Sequence, residues 1–177
     1  MGTDARFELI VTDRLELRRS VPEDADEISG YRRDPNVNRY QGWNRTDPEG
    51  VRAEIREMAA RVPGDPGWVQ FSVFERETGR LVGDVGLSPA EGEPGVVRVG
   101  YTISPAFQGA GYATEAVAAL VEYAFESLGV QVVRAHASGA NTPSHRVAEK
   151  VGMRLVERFK RTEAGETWYG VRYERRR

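Results

Sequence analysis

From Val96 to Leu128 the sequence passes from an alternating strand pattern, through a loop with glycine at 109 and 111, into a long helix. The run reads Val99-Gly-Tyr-Thr-Ile-Ser-Pro-Ala-Phe-Gln-Gly-Ala-Gly-Tyr-Ala-Thr-Glu-Ala116. It puts the start of a helix directly after the end of a strand. The first amides of a helix have no partner inside it, and the helix dipole adds partial positive charge there. Glycine at 109 and 111 lets backbone N–H groups approach an anion closely. Such a loop suits a phosphate or pyrophosphate. It also suits tight packing of a helix on a strand, and the spacing alone leaves both open. Two other phosphate loops are ruled out. No lysine follows the glycines, as a Walker loop requires, and the third glycine and early position of the dinucleotide fingerprint are missing.

The remaining pattern predicts a mixed α/β domain. Leu15–Arg18 alternates as a strand, and Ser20-Val-Pro-Glu-Asp starts a helix expected over about 22–31, stopped at Asp34-Pro35. Asp47-Pro-Glu starts a second helix to about Arg61. Strands are expected at 68–74, 81–87 and 96–103, with a tight turn at Glu77-Thr-Gly-Arg80. After the long helix, expected over 111–128 and closed by Gly129, come a strand at 132–137, a helix at about 143–151 closed by Gly152, and strands at 154–159 and 167–173. The tail Arg175–Arg177 reads as frayed. At 177 residues, the expectation is one domain over 1–177 with its core at about 12–173.

Composition narrows the chemistry. The absence of cysteine excludes disulfides, thiolate metal sites and cysteine nucleophiles, and two histidines, His136 and His145, do not make a histidine-rich metal site. No metal is expected. The net charge of −2 does not point to nucleic acid. The polar start, Met1 to Ile10, has no apolar core of a signal peptide. No apolar run reaches the ~18 residues of a membrane span, so a cytoplasmic location is expected.

Gln108-Gly-Ala-Gly-Tyr-Ala113 resembles the Gln/Arg-x-x-Gly-x-Gly/Ala signature of the GCN5-related N-acetyltransferases (GNAT). Thr114-Glu-Ala116, Asn141-Thr-Pro-Ser144, Val147-Ala-Glu-Lys-Val-Gly-Met153 and the opening Thr12-Asp-Arg-Leu-Glu-Leu-Arg18 resemble the RimJ/RimL-type branch, which acetylates ribosomal-protein N-termini. The resemblance spans about residues 12–173. It implies a single-domain GNAT fold: a mixed, mostly antiparallel sheet of six to seven strands, four helices, and splayed strands on either side of the long helix. It also implies acetyl-CoA as co-substrate and an amine-bearing acceptor, a protein N-terminus or a small molecule. A coenzyme-binding module without turnover is the alternative. A monomer or a homodimer fits.

Carried over residue by residue, the resemblance puts the pantetheine arm on backbone groups of Tyr101, Thr102 and Ile103. Gln108, at the head of the loop, counts among the coenzyme-binding residues, and the pyrophosphate falls on the amides of Gly109, Ala110, Gly111, Tyr112, Ala113 and Thr114. Asn141 would hydrogen-bond the pantetheine arm. Ser144 stands where this branch often has a hydroxyl near the coenzyme sulfur, as an acid or hydrogen-bond donor to the thiolate, and it also reads as a helix cap. An oxyanion donor is expected from a backbone N–H near Tyr101 or Thr102. Many relatives carry an acid two residues before the Gly-Tyr pair; here that position is Arg98. Arg98 reads either as recognising a negative group on the acceptor or as a solvated strand residue. Tyr31, Tyr40 and Trp43, around Gln41-Gly42, read as acceptor-pocket walls or as loop packing. Glu115 reads as a base or as a complement to the helix dipole. His145 is expected to face solvent, and His136 to be structural.

Overall fold

The computed structural model describes residues 9–163 and 165–177, and of Glu163 the backbone alone. The expectation about a leader falls mostly on residues 1–8, outside the described residues. Eight strands form one sheet: β1 (Ile10–Val11), β2 (Leu15–Arg19), β3 (Val69–Glu75), β4 (Leu81–Pro89), β5 (Val96–Ile103), β6 (Val132–Ser138), β7 (Arg154–Glu163) and β8 (Glu166–Arg176). Five helices accompany them: α1 (Ala25–Arg32), α2 (Pro35–Asn38), α3 (Pro48–Ala59), α4 (Tyr112–Glu126) and α5 (Thr142–Lys150). The sheet order is β1-β2-β3-β4-β5-β6-β8-β7. Among the described residues only β5 and β6 run parallel, with α4 as the crossover between them.

Period-two alternation gives the sheet two different faces. Leu15, Leu17, Val69, Phe71, Val85, Leu87, Val97, Val99 and Val133 point to one side and form the main core with α4 and α5. The α4 residues Ala116, Val117, Leu120, Val121 and Ala124, at helical spacing, lie almost wholly inside it. Truncating Leu120 to Ala there costs about 2–5 kcal/mol. On the other side a smaller apolar cluster joins Ala25, Ile28 and Tyr31 of α1, Val51 and Ile55 of α3, and Leu81. Beyond that cluster the second face is polar or bare: Gln70, Asp84, Gly86, Arg98, Gly100 and Thr102 lie there.

The helix starts follow their capping residues. Asp47 Oδ1 accepts from Gly50 N at 2.9 Å and opens α3. Asp34 stops α1 as expected, but its carboxylate also accepts from Asn36 N at 2.8 Å and starts α2, a one-turn helix the sequence reading did not include. The two-residue β1 was also missed, too short for any periodic signal. So the sheet has eight strands where six to seven were expected, and there are five helices where four were. The C-terminal tail is corrected as well. Arg175 and Arg176 pair with Val133 and Val132, and Arg175 meets Glu122 of α4 at 2.7 Å. A run of arginine looks unstructured in sequence, but this one completes β8 beside the buried β6.

Candidate active site

The loop between β5 and α4 is shaped from within. Gly109 and Gly111 adopt left-handed backbone angles, φ +81° and +85°, which L side chains rarely take. Gln108 Nε2 donates to the Ile103 carbonyl at 2.9 Å, so this side chain closes the loop on its own strand. The backbone N–H groups of Gly109, Ala110, Gly111, Tyr112, Ala113 and Thr114 form six consecutive donors with no acceptor among the described residues; Glu115 N is the first to bond back, to Gly111 O at 3.1 Å. Gly109, Ala110 and Gly111 are exposed and Ala113 and Thr114 half-buried, so this run of donors is open to a ligand, and a helix start of this kind suits an anion. The side chain of Tyr112 turns inwards. Its hydroxyl donates to Glu75 and its ring lies under the Arg14 guanidinium, so only its amide serves the loop.

The loop is braced by a residue pattern the sequence reading did not connect. Glu115 accepts from the Thr12 hydroxyl at 2.6 Å, from Arg14 N at 2.9 Å and from Arg14 Nε at 2.7 Å, while Arg14 Nη1 donates to Ala110 O at 2.9 Å. Burial opposes ionisation of Glu115, but these donors outweigh it and hold the carboxyl below its usual range. Glu115 is therefore a clasp between the N-terminal strand and α4, not a base.

The expected splay is present. The parallel ladder runs from Val96↔Val132 to Val99↔Ala135 and stops, although β5 continues to Ile103 and β6 to Ser138. Ser104 N donates to Val82 O, and the β4–β5 register then makes Asp84/Thr102 and Gly86/Gly100 the hydrogen-bonded pairs. The backbone groups of Tyr101 and Ile103 consequently point into the gap. Those of Thr102 belong to the β4 ladder. Of the three residues expected to bind the pantetheine arm through backbone, Thr102 offers only its hydroxyl, which accepts from Gln41 Nε2 at 3.2 Å.

Across the gap Tyr101 Oη stands 2.8 Å from Ser144 Oγ and 2.9 Å from Ser144 O. Burial pushes the Tyr101 phenol up to about 12, although the Ser144 hydrogen bond pulls the other way. The phenol thus keeps its proton at any working pH. Asn141, not Ser144, caps α5: its Oδ1 accepts from Ser144 N at 3.3 Å. The cap reading of Ser144 is corrected, because the hydroxyl is turned to Tyr101. His145 is corrected too. It is half-buried, with Nε2 2.9 Å from Ser138 O and its ring against Tyr173.

On the polar face of the sheet, a cleft of about 470 Å³ opens beside the gap, a size suited to a small ligand. The segment after α2 forms its roof and reaches β5 and the turn that follows β6. Gln41 Nε2 meets Tyr101 O at 3.5 Å, and the Tyr40 hydroxyl donates to Ala140 O at 3.4 Å. Trp43 lies under the Arg32 guanidinium and lines the cleft. Tyr31 does not reach it: its hydroxyl donates to buried Asp84. Burial pushes the Asp84 carboxyl up, against nearby Arg32. The floor is Trp68, whose ring covers the paired glycines 86 and 100; a Cβ on Gly100 would meet it at 3.6 Å. Arg98 is half-buried here and not freely solvated, with its guanidinium 5.5 Å from the Trp68 ring centre. Trp168 and His136 complete the wall. Burial and the arginines 134, 172, 161 and 98 keep the His136 imidazole below its usual value, hence neutral at pH 7. Trp68, Trp168 and Gln41 were not singled out from sequence, because nothing in their local pattern separates a cleft wall from core packing.

A glycine-hinged anion loop, a split parallel ladder and a cleft at the split find their match in known proteins. Residues 14–154 match the acetyltransferase (GNAT) domain family. The chain belongs to the GNAT family. It is 31% identical over 167 residues to the uncharacterized N-acetyltransferase YnaD of Bacillus subtilis, covering 93% of this chain and 94% of that one. Among solved structures it resembles a GNAT-family acetyltransferase from Bacillus anthracis, at TM-score 0.84 and 27% identity, covering 95% and 98% of the two chains. Its fold also matches RimL, the ribosomal L7/L12 alpha-N-protein acetyltransferase, in complex with coenzyme A, at TM-score 0.83, 18% identity and 96% and 98% coverage. The GNAT chain described here is thus an N-acetyltransferase of single-domain α/β fold. No helix among its described residues is long and apolar enough to cross a membrane.

Proposed function

We propose that this GNAT protein transfers an acetyl group from acetyl-CoA directly to a primary amine held in the cleft on the polar face of the sheet. The six partnerless amides at 109–114 carry the reading, since a run of converging N–H groups at a helix start suits a pyrophosphate. The split beyond Val99 and Ala135 leaves room for an extended arm between Tyr101 and Asn141. Acetyl-CoA supplies the acyl thioester; a C–N bond forms and the C–S bond breaks.

The protein's part is orientation and charge. The Tyr101 N–H points into the gap and is the donor for the oxygen that gains negative charge. The Ser144 hydroxyl donates to the departing sulfur, with Tyr101 Oη 2.8 Å behind it; the phenol proton is shared between Ser144 O, at 2.9 Å, and Ser144 Oγ. The amine must attack as the free base. No carboxylate stands at the position of Arg98, and the half-open cleft lets water take the proton. The neutral His136 imidazole is the one histidine on that wall.

The test is a screen of primary amines with acetyl-CoA, followed by thiol release and by mass of the product. Acetylated amine formed in step with free CoA supports the reading. Coenzyme binding without turnover on any amine would favour a binding module instead.

A further inference from the structure

Among the described residues, Arg98 is the cation lining this cleft that has no counter-charge. Arg32, also in the lining, is bidentate to Glu54, and on the same face of the sheet Arg134 is held by Glu93 and Glu174 and Arg172 meets Glu157 and Glu174. Arg98 has one hydrogen bond among the described residues, from Nη2 to Ser88 Oγ at 3.3 Å. Its Nε is buried with no partner. The β5–β6 register sets Arg98 directly opposite Arg134, whose own charge is met by Glu93 and Glu174. A buried unsatisfied donor and a charge without a carboxylate are thus held in place where the cleft is open.

We infer that the acceptor carries a carboxylate, which Arg98 binds, and an aromatic or apolar body, which lies on Trp68 between Trp43 and Trp168. This rests on the acetyl-transfer reading above and names the acceptor class of that same site. A guanidinium presents paired donors that match a carboxylate. Its carbon lies 5.5 Å from the Trp68 ring centre, a cation–π contact that favours this position on the cleft floor. A single uncompensated cation in the cleft lining suits a monoanion better than a phosphate, since Arg32, Arg134 and Arg172 are each paired with carboxylates. Spacing adds a constraint. At ~3.3 Å per residue, Arg98 and Tyr101 are about 10 Å apart along β5. The carboxylate therefore belongs some bonds away from the amine, as in a β- or γ-amino acid, more readily than on the adjacent carbon.

The experiment uses matched acceptor pairs, free acid against carboxamide, built on phenylalanine, 3-amino-4-phenylbutanoate and 4-amino-3-phenylbutanoate. Each pair is run with wild type, Arg98→Ala and Arg98→Gln. Comparing the acid/amide ratio of kcat/KM between proteins cancels the intrinsic reactivity of each amine. The ratio in wild type should exceed that in both variants at least tenfold, mainly through KM, and most for the longer spacings. A second arm needs no turnover. 3-Phenylpropionate, titrated into the protein with CoA present, should bind wild type at least tenfold tighter than Arg98→Ala, while 3-phenylpropionamide shows no such difference. Unchanged thermal unfolding of the variants excludes misfolding as the cause. An acid/amide ratio equal in wild type and variants, or equal 3-phenylpropionate binding, overturns the inference and leaves acetyl transfer intact. No thermal shift with acetyl-CoA in wild type overturns the transfer reading itself.

Discussion

Removing the two hydroxyls that face each other across the gap tests whether Ser144 and Tyr101 act as one relay. Tyr101 Oη lies 2.8 Å from Ser144 Oγ and 2.9 Å from Ser144 O, and the phenol stays protonated. Tyr101→Phe deletes both of these neutral contacts, about 1–2 kcal/mol in all, which for a chain this size lowers Tm by roughly 2–8 °C. Ser144→Ala deletes only the Oγ contact and leaves Asn141 as the helix cap, so a smaller loss is expected. Activity should fall much further. A positioned acid is worth roughly 10²–10⁴ in rate. A hydroxyl is a weak acid, so Ser144→Ala should lower kcat by about 10²-fold, the low end of that range. Tyr101→Phe, which removes only the group behind it, should lower kcat by about tenfold. The double variant should equal Ser144→Ala within a factor of about three, since residues acting as a unit are not additive. The assay is thiol release at saturating acetyl-CoA, repeated with an acetyl thioester of a more acidic thiol. The better leaving group should rescue all three variants. Multiplying effects in the double variant, or equal loss with both thioesters, would refute the relay.

Three further outcomes follow from the same geometry. Gly111→Ala forces an L side chain into φ +85° and brings a Cβ within 3.3 Å of Arg14 Nη2, whereas Gly109→Ala meets nothing within 4 Å; titration calorimetry should show weaker CoA binding in both, and thermal unfolding a larger stability loss in Gly111→Ala. Glu115→Gln should cost about 1 kcal/mol at pH 7 by weakening the hold on Arg14. The folded Glu115 titrates below its unfolded value, so the stability it adds is present above pH ~4.5 and lost as pH falls further; urea unfolding from pH 7 to 3 should show the two proteins converging. Asp84 has the opposite sign. Its folded pKa lies above the unfolded value because it is buried, so wild type loses stability as pH rises from ~4, and the Tm of Asp84→Asn relative to wild type should climb over that window.

Most of the scaffold was legible in the residues. Glycine and proline punctuation, capping aspartates and strand alternation located α3, α4, α5 and every strand of more than two residues. What escaped has physical causes. β1 has two residues, α2 has one turn, and Arg175–Arg176 form a strand because β6 needs a partner, which no local pattern encodes. The anion loop was readable because its donors are backbone and consecutive. The cleft proposed for the acceptor was readable only in part: Tyr40, Trp43 and Arg98 were candidates for it and do line it, but Trp68, His136 and Trp168 were not, because only the sheet brings these walls together. Spacing could not say which backbone groups of β5 face the gap. The register did, moving Thr102 to the β4 ladder and turning the Tyr101 N–H to the gap, where the proposed oxyanion donor belongs.

The central claim is that the amides of 109–114 hold the pyrophosphate of an acyl-CoA whose arm runs through the split sheet. Thermal unfolding with acetyl-CoA and, separately, with S-acetylpantetheine, which lacks the pyrophosphate, tests it most directly. A ligand at a hundred times its Kd stabilises by ~2.7 kcal/mol, a Tm rise of roughly 5–10 °C at this size. The account predicts that rise with acetyl-CoA and almost none with S-acetylpantetheine at the same concentration. Equal shifts with both, or no shift with acetyl-CoA up to millimolar, would contradict it.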